Sequence, residues 1–430
     1  MKKLPLASIC GVVVSLMLWP GSFSLAAPSA SEVEALRREL ERTQTQVEAL
    51  TNKMQELQQR LRQVEAAKVE PAQPSTQEPS SPAGMLQTPL GQRQLLFDVG
   101  VLGDFVYAYT SGEDNDPRRA GTFAGLEDRA FPREVELVLS GRVDPFARAD
   151  VFLEFAEEAE FEAGHGEFER ELEVGLEEAY LTLLELPLGL QARIGKMRPR
   201  FGRLNEIHPH DLPQVDRPDV LVNFFGREQL KETGLEMNAL LPTPFFQELS
   251  TGVFNGDNEV SFGRGDFEDP LVTAHLRNFF ELSEASALQV GLSGAEGPNA
   301  PDQRSYLAGL DLTYKWLPPD EPFTALTLQG ELLYSHRETE EDDKDRYGAY
   351  LFGDYRLSRN WGLGTRLDWS EFPEEGGREW AVTPYVTLWA SDFLRFRLQY
   401  KHTDRNFADD LAEVFFQASF TLGFHPPHRF

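Results

Sequence analysis

Leu394-Arg395-Phe396-Arg397-Leu398-Gln399-Tyr400 sets Leu, Phe, Leu and Tyr on one side of an extended chain and Arg, Arg and Gln on the other. Successive side chains of a strand point to opposite faces, so this period of two means a strand apolar on one face and polar on the other. Tyr306, Ala308, Leu310, Leu312, Tyr314 and Trp316 repeat the pattern against Ser305, Gly309, Asp311, Thr313 and Lys315, with Leu307 the exception. Phe416, Ala418, Phe420, Leu422 and Phe424 close the chain in the same way, before a tail of His425 to Arg429 and a terminal Phe430. Soluble sandwiches alternate too. The amino-terminal end favours a barrel in a membrane.

Met1-Lys2-Lys3, the apolar run Leu4 to Trp19 and the small residues Ser24-Leu25-Ala26-Ala27 have the layout of a secretory leader. Pro20-Gly21 ends the run short of the roughly 20 residues a helical span needs. The only cysteine, Cys10, lies inside this leader, so the exported chain is expected to hold neither disulfide nor thiolate. A mean hydropathy of −0.39 excludes a helical membrane protein but not a barrel, half of whose strand residues are polar. The formal net charge of −29 argues against nucleic acid as a partner and suits acidic loops facing outward.

Past the leader (1–27), residues 28–67 form a separate unit. Val33, Leu36, Leu40, Val47, Leu50, Met54, Leu57, Leu61 and Val64 occupy a and d of one heptad register, broken only by Thr43. That period predicts an α-helical coiled coil of roughly 50 Å that self-associates to bury its seam. A linker over 68–92 follows, with Pro71, Pro74, Pro79, Pro82 and Pro89.

From 93 to 430 about sixteen strand-like segments are expected. They start near Leu95, Phe131, Phe146, Glu169, Leu188, Thr233, Gln247, Leu271, Ser286, Arg304, Pro322, Tyr347, Trp361, Arg378, Phe393 and Ala412. Short turns such as Asp144-Pro145 and Leu186-Pro187 alternate with polar loops such as 111–130, 256–270 and 337–346. Short–long alternation is the mark of an up-and-down transmembrane barrel of antiparallel strands. Tyr107, Tyr109, Trp316, Tyr334, Trp361, Trp369, Trp389 and Tyr400 near strand ends fit interfacial girdles.

One connection breaks the rhythm. About 35 residues between the fifth and sixth strands carry Pro199, Pro209, Pro213 and Pro218 and no strand period. A barrel of this width stays open unless something narrows it, and a loop folded inward would do so. Lys196, Arg198, Arg200 and Arg203 open the stretch, followed by Arg217, Arg227 and Lys231. They read either as a cationic constriction that favours anions, or as partners of Glu206, Asp211, Asp216 and Asp219 in a solvated loop. Arg193, Lys315, Arg366, Arg395 and Arg397 have lumen parity and are expected on the inner wall. His208 and His210 flank Pro209 as candidate metal ligands, yet no third ligand lies in register, so no metal is expected. The acidic run Glu154 to Glu178 reads as a solvated strand edge and outer loop before it reads as a calcium site. No nucleophile elbow, glycine-rich phosphate loop or HExxH occurs, so neither catalysis nor a cofactor is expected.

Ala192-Arg193-Ile194-Gly195-Lys196-Met197-Arg198-Pro199-Arg200-Phe201-Gly202 resembles the G-K-x-x-x-P-F-G turn of the phosphate-selective porin O/P family, here with Arg200 between the Pro and the Phe. Asp216-Arg217-Pro218 and Thr233-Gly234-Leu235-Glu236 are similar in layout to that family's run through its inward loop into the next strand. The resemblance implies a trimeric sixteen-stranded barrel behind a periplasmic coiled coil, with Lys196, Arg198, Arg200 and Arg203 at the anion site. The resulting expectation is an outer-membrane porin passing small hydrophilic solutes, preferably phosphate- or carboxylate-like anions, as a homotrimer in lipid. A second reading makes the barrel an anchor and the coil a tether to the cell wall. A third makes it a receptor for chelated metal through His208 and His210.

Overall fold

The computed structural model describes residues 97–424 other than 113–122, 124, 163–166, 259, 264–267, 301–302 and 375. The leader, coiled coil and linker expected over 1–92, and the tail from His425, lie outside the described residues. Sixteen strands follow in order: β1 (Phe97–Thr110), β2 (Arg129–Asp144), β3 (Ala147–Glu162), β4 (Glu167–Leu186), β5 (Leu190–Met197), β6 (Glu232–Leu240), β7 (Phe246–Phe254) and β8 (Leu271–Ser283). The second half comprises β9 (Ser286–Ala300), β10 (Gln303–Trp316), β11 (Ala325–Arg337), β12 (Lys344–Arg356), β13 (Trp361–Glu371), β14 (Arg378–Ser391), β15 (Leu394–Arg405) and β16 (Leu411–Gly423). Every start falls within three residues of its expected position.

Each strand pairs antiparallel with its sequence neighbours, and β16 returns to β1 from Gly100↔Gly423 to Thr110↔Glu413. Closure leaves no unpaired edge. The two faces sort as the alternation requires. On β15 Arg397, Gln399 and Lys401 are buried inward while Leu398 and Tyr400 are 51% and 43% exposed on the outside. On β1 Asp104, Val106 and Ala108 point in, and Phe105, Tyr107 and Tyr109 point out. Trp369 and Trp380 sit opposite each other on the outer face near the long-loop rim, and Trp361 is exposed at the short-turn rim.

The turns form for local reasons. The Asp144 carboxylate accepts from the Phe146 backbone N–H at 2.7 Å, closing the β2–β3 turn. Between β4 and β5 the chain reverses through Leu188 and Gly189 at φ of 67° and 72°, a left-handed pair that glycine tolerates best.

The interior is not uniformly polar. Leu307, the exception on β10, faces inward at 3% exposure. With Leu333, Tyr350, Phe352, Phe254 and Leu271 of neighbouring strands it forms an apolar floor inside the barrel. One α-helix occurs among the described residues, α1 (Asp219–Phe225), and all seven of its residues are buried. It packs against β12 and β13.

Candidate functional site

The segment from Arg198 to Lys231 leaves β5, crosses the barrel interior and returns to β6. Its apolar residues anchor it. Phe201, Leu204, Leu212, Leu221, Phe224 and Leu230 are each no more than 2% exposed, most of them on the apolar floor. Burying a Leu or Phe side chain contributes about 1.5–3 kcal/mol, so this contact outweighs any single ion pair in fixing the segment. Gly202 makes the inward turn, with φ of 60°. A Cβ there would lie 2.1 Å from Glu331 Oε2. The same glutamate accepts the backbone N–H groups of Arg203 and Leu204, both at 3.0 Å.

Charge then fixes which wall each part of the segment meets. The leading cations meet acids of the near wall. Arg198 pairs with Glu177 of β4 and donates its backbone N–H to Glu178 at 2.7 Å. Arg193 of β5 holds Glu236 of β6 at 2.6 Å. Arg200 reaches Glu206 at 3.2 Å and Glu248 of β7 at 3.4 Å. Lys231 meets Glu177 at 2.7 Å and also pairs with Glu228. The later acids meet cations of the far wall. Asp216 takes Arg366 of β13 at 2.9 Å and Lys401 of β15 at 3.0 Å, while Asp219 also pairs with Lys401. Burial alone would raise the Asp216 carboxyl, but Arg366 and Lys401 outweigh it and hold it below the ordinary carboxylate range.

The remaining candidates hold backbone. Arg217 donates to the Leu204 and Ile207 carbonyls at 3.1 and 2.7 Å, and Arg227 to the Ala159 carbonyl at 3.1 Å. Arg395 donates to the His210 carbonyl, and Arg397 to the Leu212 carbonyl at 3.0 Å. Lys196 donates to the Leu176 carbonyl at 2.6 Å. Lys315 is half-buried toward the short-turn end of β10, and the Arg203 side chain lines a cavity described below. Most of the candidate cations thus contact carboxylates or carbonyls. Both wall acids and loop groups serve as partners: Arg198 takes Glu177 of the wall, while Arg200 also reaches Glu206 and Lys231 also pairs with Glu228.

Two cavities lie along the β2–β6 side. The inner one, about 360 Å³, extends toward the short turns and is lined by Arg148, Asp150, Glu178, Arg193, Arg200 and His208, among others. The outer one, about 460 Å³, extends toward the long loops and is lined mainly by Glu154, Glu158, Glu173, Glu177, Lys196 and Lys231. Arg198 lines the first, and its partner Glu177 lines the second, so this ion pair stands between them. The β3–β4 register shifts at Phe152/Leu153, and this bulge leaves Glu177 and Glu178 both buried. The reading of the run Glu154 to Glu178 as a solvated edge and outer loop fails at its end, where Glu177 and Glu178 are buried at 1% and 4% exposure. An adjacent pair interrupting the alternation of β4 was the available signal.

His208 and His210 do find partners. His208 Nδ1 lies 2.7 Å from Glu136 Oε2, and His210 Nδ1 lies 3.1 Å from Glu134 Oε2, both on β2. Burial by itself opposes charge on either ring, yet Glu136 beside His208 and Glu134 beside His210 outweigh it and favour the imidazolium.

This barrel has counterparts among solved structures. An anion-selective porin from Comamonas acidovorans superposes with a TM-score of 0.51 at 8% identity, over 76% of this chain and all of that one. The fold is a porin-type barrel. The outer membrane channel DcaP of Acinetobacter baumannii gives a TM-score of 0.49 at 11% identity, over 79% of this chain and 100% of that one. By sequence, the chain is 28% identical over 401 residues to an Aquifex aeolicus (strain VF5) protein described as "Uncharacterized protein", covering 80% of this chain and 82% of that one. No family model matches the chain.

Proposed function

We propose that this protein is an outer-membrane porin for small hydrophilic solutes, with the 198–231 segment as its constriction. The observation that carries the reading is a closed barrel, apolar outside, holding two cavities in line on either side of the Arg198–Glu177 pair. A sheet can face lipid only if every backbone group is paired, which closure ensures. The outward Leu, Phe, Tyr and Trp side chains then bury in lipid what water would leave unfavourably exposed. The path runs along the β2–β6 wall, because the floor beneath Phe201 and Leu307 fills the opposite side with packed apolar groups.

Anion preference is part of the proposal. Five arginines, Arg148, Arg193, Arg198, Arg200 and Arg203, line the inner cavity against four carboxylates, Glu136, Asp150, Glu178 and Glu206. Phosphate- or carboxylate-like solutes are the class such guanidinium groups recognise bidentately. The acidic outer cavity opposes this and would keep the selectivity modest. Planar-bilayer recording of the purified protein is the test. Stepwise conductance is expected, with a reversal potential in a KCl gradient shifted toward chloride, and Arg198→Ala should enlarge the step. A cation-ward reversal potential removes the anion clause, and silence from both proteins removes the pore.

A further inference from the structure

We infer that Glu134, Glu136, His208 and His210 form a binding site for one divalent transition-metal ion of the zinc class, tying the inward segment to the barrel wall. This goes beyond the pore reading and stands or falls separately from it.

The sequence left the two imidazoles without further ligands; the fold supplies them from a strand more than 70 residues away. The β1–β2 register shifts between Asp104 and Phe105, and beside Pro132 both Arg133 and Glu134 are buried. From that point Glu134 and Glu136, two apart on one strand, share the inner face. Opposite them, His-Pro-His brings the rings of residues 208 and 210 to 5.6 Å between centroids. One ligand atom from each of the four residues lies within 4.8 Å of every other. A tetrahedral ion with bonds of about 2.1 Å sets its ligand atoms roughly 3.4 Å apart, so small side-chain rotations close the site.

Three further observations support a ligand here. All four residues are at most 5% exposed, so the donors are already desolvated and need no water stripped from them. Glu134 Oε1 is buried without a hydrogen-bond partner, while Glu134 Oε2 faces His210. The inner cavity is lined by Glu136, His208 and His210, which gives an ion a way in. Two imidazoles with two carboxylates suit zinc, cobalt, nickel or copper over calcium or magnesium, which prefer all-oxygen shells. On binding, the ion takes the place of the protons that the rings share with the two carboxylates, and these leave to solvent. Asp211 Oδ2, 3.1 Å from His210 Nε2, holds the outer nitrogen of that ring, as carboxylates behind ligating histidines do.

The test uses the full-length protein folded in detergent micelles. Titration with zinc by calorimetry, and with cobalt by visible absorption, should give one ion per chain and the intense bands of a tetrahedral site. His208→Gln and Glu134→Gln should each abolish that uptake while heat-modifiable gel mobility shows the barrel intact. The double variant His425→Gln/His428→Gln should bind as before. The inference is overturned if the unaltered protein takes up no stoichiometric zinc or cobalt. It is equally overturned if calcium or magnesium competes at equal concentration, or if uptake follows the tail histidines instead. The cobalt spectrum needs no variant, so a variant that fails to fold leaves the question decidable.

Discussion

Asp216 is the residue through which the far end of the inward segment is held. Its carboxylate meets Arg366 and Lys401, and Gln399 donates to it at 2.6 Å. Its folded value is depressed, so its contribution is present above the unfolded value of about 4 and is lost as pH falls through the lower folded value. The segment is therefore expected to stay docked from neutral pH down to about 4 and to release in stronger acid. Conductance recorded against pH, with protease cleavage of the segment as a second probe, checks this. Arg366 is wholly buried, and deleting one member of such a pair costs about 3–5 kcal/mol because its partner's charge is left buried. Arg366→Met should thus move release to higher pH; an unchanged midpoint would show that Lys401 and Gln399 suffice.

At the scale of elements, the sixteen strands and the inward segment were not equally legible. Strand alternation is local, each residue constrained by its neighbours two places away, and so every strand start could be located to within three residues. The prolines and lost period marked where the segment begins and ends. Its docking was written less openly, in the breaks of alternation on other strands. Leu307 broke the pattern because it packs with Phe201 and Leu333 under the segment instead of facing water. Leu307→Ser, which would regularise an empty barrel, is expected here to weaken docking by about 2–5 kcal/mol, as large-to-small core substitutions do. The barrel should keep its heat-modifiable mobility while single-channel conductance rises. Unaltered conductance would mean that the apolar floor does not hold the segment.

For the whole molecule, the heptads of residues 28–67 lie outside the described residues, and their consequence is a matter of assembly. A lone helix could not bury such a seam, so self-association is expected, and the resemblance to the porin O/P family implies that it is a homotrimer behind a periplasmic stalk. Deleting 28–90 behind an intact leader should leave conductance per barrel unchanged while lowering the trimer fraction in sedimentation with detergent matched. Loss of conductance would place the stalk in the channel's own machinery; retained conductance with loss of an envelope phenotype would reveal a tether to the cell wall.

The chain by itself determined the barrel, its rims and the place of its long inward connection, since each follows from residues a few positions apart. Only the tertiary structure decided what the charges do. Asp216 and Arg366 are 150 residues apart and His210 and Glu134 are 76, and no local period couples them. The two bulges that turned Glu134 and Glu177 inward each shifted a register by one residue. Against a background of 70 acidic residues, a carboxylate becomes distinguishable only when folding removes it from water and sets a cation beside it.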